Sequence, residues 1–258
     1  LRNAREARAA YGAALTQGEA LGRPLMQLSA MQGLTILAAD LCLWELSASW
    51  ATRMHDLAST IGFVHRVAAA LWHRAYAAES MGQLAESIPM YEKVAALSRS
   101  CGDQRKEAVA LQRLGVSHRA LGHPTVAWQC LAQSQALHET LDDALEACIT
   151  TGHAAGCELD LGLHDAALST VNGLLERLAS EARPAHKTIE PRWACQHVLR
   201  VLGDARAAPM LEQLFADVQA SAAEMTDAAD RDRLIQDSPV YRDIVAAYAV
   251  RGGQGSAP

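Results

Sequence analysis

Apolar positions recur along this chain in short stretches of helical spacing, interrupted at fixed intervals. Over residues 104–122, Val109, Leu111, Leu114 and Val116 fall on or near one stripe. Over 85–103, Ile88, Tyr91, Val94 and Leu97 recur at three-residue steps. Residues three or four apart share one face of an α-helix, so these stretches predict amphipathic helices. The interruptions are Leu41-Cys42, Met81-Gly82, Leu121-Gly122 and Leu161-Gly162, 40 residues apart, followed by Leu202-Gly203 at 41. Each is followed five positions on by a small residue: Ser47, Ser87, Ala127, Ala167 and Ala208. A second series of breaks, Gly22, Gly62, Gly102 and Asp142, runs between them, also 40 apart. Two interleaved series at constant spacing describe helix, turn, helix and turn back. A period in the range of about 20–50 residues marks a solenoid. One hairpin cannot bury its apolar face alone, so neighbouring hairpins must stack, with the small residues where paired helices approach closely.

The breaks place helices at 3–21, 24–40, 43–60, 63–81, 84–100, 104–121, 124–140, 143–161, 164–181, 190–202, 205–226, 229–237 and 240–250. Pro184 makes 180–187 a longer turn, and Pro124, two residues after Gly122, suits a helix start. No strand is needed. The expected fold is all-α, a right-handed α-α superhelix of about five hairpins with an irregular helical cap. Its parts are repeats over 1–187, a last hairpin and capping helices over 188–250, and a disordered tail over 251–258. Residues 1–22 match the second helix of a hairpin, so the array is expected to begin mid-repeat, inside a longer protein.

Composition narrows the function. Aromatic residues are 5% of the chain and Ala and Leu carry the apolar load, which favours thin packed helices over sheet. A net charge of -6 argues against a broad nucleic-acid footprint. No run of eighteen apolar residues occurs and no signal-peptide core follows the N-terminus, so neither membrane nor export is expected. The six cysteines form no CxxC pair; a reducing, cytoplasmic setting is the expectation.

The hairpins resemble tetratricopeptide repeats. The best stretch is Leu111, Leu114, Gly115, His118, Leu121-Gly122, Ala127 and Leu131, which follows that family's large–large–Gly, Leu-Gly and Ala pattern. Leu71, Ala75, Met81-Gly82, Ser87 and Tyr91 match more loosely, and Ala155, Leu161-Gly162 and Ala167 give a third match. Thr35 and Cys42 stand where the family has Gly. The last seventy residues, through Pro191, Trp193, Leu202-Gly203-Asp204, Leu211, Asp227, Leu234, Pro239, Arg242 and Ile244, resemble the C-terminal region of large bacterial regulators. In those proteins a repeat array follows an ATPase module of the signal-transduction class, as in transcriptional activators and multidomain nucleotide cyclases. The resemblance implies a non-enzymatic sensor or protein-interaction array that controls upstream domains of the same polypeptide.

In such arrays the first helix of each hairpin lines the concave face. Carrying the register over gives Gln32, Ile36, Trp72, Tyr76, Glu79, Gln112, Val116, Arg119, Gly152, Gly156, Trp193, His197 and Arg200 as a binding groove. Aromatics there offer stacking area and Arg119 and Arg200 offer carboxylate recognition. Gly152 and Gly156 either let a ligand approach the backbone or let two helices pack closely. Trp72 and Trp193 read more strongly as core than as groove, while Trp44, Trp50 and Trp128, on second helices, are expected to pack. His73, His118 and His138 fit solvated faces or local hydrogen bonds. No nucleotide-binding glycine loop, nucleophile elbow or HExxH is present. His153, Cys157 and Asp160 share a helical face and together with His164 could recruit a soft metal, but such spacing also arises in a buried helix, and no metal, cofactor or catalytic set is expected. The expected partners are a protein, a peptide or a small effector, without direct nucleic-acid contact. The alternative is a structural scaffold that binds no ligand and self-associates through its end helices.

Overall fold

The computed structural model of the chain describes residues 4–180, 183–225 and 227–254. These form α1 (Ala4–Ala20), α2 (Pro24–Asp40), α3 (Trp44–Thr60), α4 (Val64–Ser80), α5 (Leu84–Cys101), α6 (Gln104–Ala120) and α7 (Pro124–Thr140). They continue as α8 (Ala144–Asp160), α9 (His164–Ser180), α10 (Ala185–Val201), α11 (Ala207–Ala223), α12 (Ala228–Asp237) and α13 (Pro239–Gln254). No strand occurs among the described residues. The fold is the all-α, tetratricopeptide-like solenoid that the break series predicts.

The turns explain the period. The second residue of each step in the first series, and every residue of the second series, has left-handed backbone, with φ from 53° at Asp142 and 54° at Cys42 to 80° at Gly122. In each turn the next residue donates its N–H to the carbonyl five positions back, as Leu43 does to Ala38 (2.8 Å) and His123 to His118 (2.9 Å). This bond closes the helix end and reverses the chain in three residues. Pro24 and Pro124 then open α2 and α7, where a missing N–H leaves no hydrogen bond unmade.

The chain divides into two compact units, Leu1–Ser117 and His118–Pro258, the boundary falling within α6. In the first, α1 to α5 pack pairwise in chain order. Leu15, Leu28, Met31, Leu34, Met54 and Ala70 form one core cluster, and Leu71, Val94, Ala95 and Ala110 the next. In the second, α7 packs on α8 and α8 on α9, α8 also packs on α10, and α10 on α11. Cys148, Ala155, Leu159, Val171, Leu174, Cys195 and Leu199 fill that interior. The C-terminal helices close over Ile189, Leu211, Leu214, Val218 and Ile244.

Close approach is visible at the small residues. Ser47, Ser87, Ala127 and Ala167 are buried, and Ser47 Oγ donates to the Thr35 carbonyl of α2 at 3.1 Å. At the fifth step the buried residue is Ala207, which keeps the spacing of 40 from Ala167 while the break itself falls one residue later, and Ala208 is half-buried beside it. Two further expectations need correction. The turn at 180–187 is shorter than predicted: Pro184 caps α10, which begins at Ala185. Pro191 therefore lies inside that helix, held there by burial of its neighbours Thr188 and Ile189. At the end of the chain α13 extends to Gln254. The rest of the expected tail, 255–258, lies outside the described residues, as do the last position of the expected ninth helix (181) and of the eleventh (226).

Candidate binding surfaces

In the first unit the first helices of successive hairpins bring Gln32 of α2 and Trp72 of α4 to one cavity of about 250 Å³. Its other walls are Ala69 and His73 of α4, Asp103 of the preceding turn, and Arg105, Lys106 and Val109 of α6. On α4 the contributors are spaced i, i+3 and i+4, on α6 i, i+1 and i+4, so each helix presents one face. Trp72 Nε1 and His73 Nδ1 are both buried without a hydrogen-bond partner. Burial, reinforced by the Lys106 charge, pulls the His73 imidazole down to about 4 from 6.5, so it is neutral at pH 7. Lys106 Nζ donates to Asp103 Oδ2 at 2.7 Å, and Asp103 Oδ1 accepts from the Lys106 backbone N–H at 3.1 Å.

Behind Trp72 lies an aromatic and charged cluster. Tyr76 stacks on Trp72 (centroids 5.2 Å, planes 11° apart) and meets Trp44 edge-on at 5.7 Å. The Arg113 guanidinium lies over the Tyr76 ring at 5.3 Å and pairs with Glu79 at 3.6 Å. Glu79 also accepts from the hydroxyl of buried Tyr91 at 2.6 Å, and burial together with that carboxylate raises the Tyr91 phenol well above its ordinary range. Tyr76 and Glu79, predicted to face a ligand, are thus engaged within the protein. Gln112 is fully buried, Val116 half-buried, and Ile36 exposed away from the cavity.

The second unit uses its predicted groove residues on one another. Arg119 Nε and Nη2 donate to the two carboxylate oxygens of Asp160 at 2.6 and 3.3 Å. A Cβ on Gly156 would lie 2.6 Å from Arg119 Cζ, so this glycine makes room for the guanidinium. At Gly152 a Cβ would meet Ala194 Cβ at 3.0 Å and the Pro191 carbonyl oxygen at 3.4 Å, which is close packing of α8 against α10. Of the two roles open to these glycines, the space beside each is taken by the chain itself. Arg200 is exposed, its Nη2 3.5 Å from His197 Nδ1. Burial, with Arg119 and Arg200 adding to it, lowers the His197 pKa. Trp193 packs at the edge of the C-terminal cluster.

Among the described residues no group of three or more His, Cys, Asp or Glu is placed to hold a metal. His153 instead contacts Glu190 at 3.2 Å, and burial raises the Cys157 thiol to about 12 despite the nearby Arg119. No described helix is long and apolar enough to cross a membrane. The other expectations divide. Trp44 is buried and Trp50 packs in the first core, but Trp128 is 44% exposed. Of the two alternatives for His138, a solvated face does not hold: it is fully buried on the same face of α7 as Leu131 and Ser134, with its Nδ1 4.0 Å from Asp143 Oδ2. His73, Asp103, Arg105 and Lys106 were missed as cavity residues. Their signal was helical spacing about Trp72 and Val109, which a reading of His73 as solvated or locally hydrogen-bonded passed over.

A tetratricopeptide-repeat family model matches residues 66–140, spanning α4 to α7. Among solved structures, BtubC from P. vanneervenii is similar at 12% identity, with 87% of this chain and 94% of that one covered and a TM-score of 0.66. A Rap protein complexed with competence and sporulation factor is similar at 12% identity, with 94% and 76% covered and a TM-score of 0.63. NprR in complex with its cognate peptide NprX is similar at 13% identity, with 88% and 67% covered and a TM-score of 0.63. At these identities the likeness is one of fold.

Proposed function

We propose that the chain is a non-enzymatic recognition array that binds a peptide or partner-protein segment on the face made by the first helices of its hairpins. The observation that carries this is the convergence of Gln32, Trp72 and Lys106, from three successive first helices, on one cavity. A largely apolar pocket with a few polar groups whose hydrogen bonds are unmade is suited to recognition. None of the clusters described above aligns a nucleophile with a base and an orienting group, so binding rather than chemistry is what the surface supports. Two fold neighbours, the Rap protein and NprR, were solved with a bound factor or peptide, which supports the same use of the fold here.

The finer reading is that this array is the C-terminal regulatory part of a bacterial regulator of the ATPase type. Its support is the sequence resemblance of the last seventy residues, from Pro191 to Ile244. Selection of a displayed peptide library on the purified chain, followed by calorimetry on the peptides recovered, tests the binding reading. Peptides should bind wild type and lose affinity in Trp72→Ala. Failure to select any peptide, or equal binding by Trp72→Ala, would count against it. The gene sequence preceding Leu1 tests the finer reading.

A further inference from the structure

We propose that Cys101 is a thiol-exchange site, taking a low-molecular-weight disulfide with His65 as its base. The site stands apart from the partner-binding reading and does not depend on it. Cys101 ends α5 and is half-buried, whereas Cys42, Cys148, Cys157 and Cys195 are buried. A short turn joins α4 to α5 and reverses the chain, so the end of α5 returns beside the start of α4, where His65 is the second residue. Cys101 Sγ accordingly lies 3.6 Å from His65 Nδ1, across a separation of 36 residues. The same Nδ1 lies 3.9 Å from Oδ2 of Asp103, in the turn that follows α5. The imidazole is 53% exposed, so a small molecule in solvent can reach the pair.

The chemistry follows from those three groups. The thiolate, not the thiol, attacks a disulfide, so the S–H proton must leave. Sγ has two acceptors in reach, the Ser98 carbonyl at 3.5 Å and His65 Nδ1, and of these only the imidazole can keep the proton. That role uses the neutral tautomer with its hydrogen on Nε2. The Asp103 carboxylate, fixed by the Lys106 ammonium and backbone N–H, favours the imidazolium that results. Asp103 faces the same ring nitrogen as the sulfur and not the far one, so the arrangement is no catalytic triad. The steps balance. His65 Nδ1 takes the proton, and Sγ attacks one sulfur of the small disulfide. One S–S bond forms as another breaks, and the departing thiolate takes the proton back from His65. Cys101 is oxidised and the released thiol is reduced; a second thiol reverses the exchange. The chain is modified and does not turn over, so the non-enzymatic reading is untouched.

The test treats the whole chain with oxidised glutathione at pH 7 and at about pH 9.5, above the ordinary thiol value of about 8.5. The adduct is located by the masses of proteolytic fragments. Cys101 should be modified first, ahead of Cys130, the other half-buried cysteine, and Cys101→Ser should lose the fast phase. An isolated thiol is ionised only to a few per cent at neutral pH, so His65→Gln should slow Cys101 at pH 7 by about tenfold. The groups facing His65 are Cys101 and Asp103, with Lys106 behind Asp103. At about pH 9.5 the thiol loses its proton to water, and wild type and His65→Gln should react alike. Equal melting temperatures for the two proteins certify the comparison, and His65→Asn repeats it with a shorter side chain. Modification of Cys130 first, equal rates for wild type and His65→Gln at pH 7, or a slowing that persists at about pH 9.5 overturns the proposal. So does a chain that oxidised glutathione leaves unmodified at Cys101.

Discussion

Gly152 offers a clean measure of how tightly the solenoid's layers are packed. It sits on α8 where α10 lies against it. A Cβ there would stand 3.0 Å from Ala194 Cβ, 3.4 Å from the Pro191 carbonyl oxygen and 3.5 Å from Leu174 Cδ2. Carbon atoms attract best at about 3.5–4.0 Å, so the first contact is repulsive. Neither a Cβ nor a backbone oxygen can rotate aside, and α10 must recede. That loosens Cys148, Ala155 and Leu159 against Cys195, Val198 and Leu199. Overpacking of this kind costs roughly 1–3 kcal/mol. Replacing a mid-helix glycine with alanine returns about 0.5–1 kcal/mol in helix propensity. Gly152→Ala should therefore lower stability by about 1 kcal/mol. Ala194→Gly alone loses the propensity term and gains nothing from the empty space. In the double variant the clash is gone and the two propensity terms oppose each other, so stability should return to within about 0.5 kcal/mol of wild type. Urea unfolding followed by far-ultraviolet circular dichroism gives all four corners of the cycle. A coupling energy of roughly 1–3 kcal/mol is expected, since the propensity terms cancel in it. A coupling below about 0.5 kcal/mol, with Gly152→Ala as stable as wild type, would refute the packing account.

Three other outcomes follow from the same structure. Tyr91→Phe keeps a fully buried ring but removes the 2.6 Å bond to Glu79, and should cost about 1.5–3 kcal/mol in urea unfolding. Below pH 7 the unfolded chain protonates His73 at its ordinary 6.5 while the folded chain waits until about 4. Stability should fall across that window as pH drops, by on the order of 3 kcal/mol, and His73→Asn should flatten that part of the profile. Asp142→Gly relieves a left-handed residue at φ 53° on an exposed turn and should raise stability by roughly 0.5–1 kcal/mol, read as a higher urea midpoint.

The break residues made the fold legible. A glycine or its replacement every forty residues could be read as a turn because left-handed backbone has few other tolerant residues, and Cys42 and Asp142 kept the conformation without the glycine. Helix limits came within a few residues for the same reason. They slipped at Pro184 and Pro191, where proline breaks or begins a helix in isolation and burial of Ile189 decides which. The groove was less legible. Register named Gln32 and Trp72, which line the cavity, and also Tyr76, Glu79 and Arg119, whose partners Arg113, Tyr91 and Asp160 lie on other helices and tie them to the protein itself.

Sequence alone determined that this chain is a row of helical hairpins, because turn chemistry and helical period are local properties that each forty-residue segment carries by itself. Only the tertiary structure decided which of the predicted groove side chains are spent on one another and which line a cavity. That choice depends on distances between helices that are neighbours in space and not in sequence, as when Lys106 of α6 comes to the same cavity as His73 of α4 and Gln32 of α2.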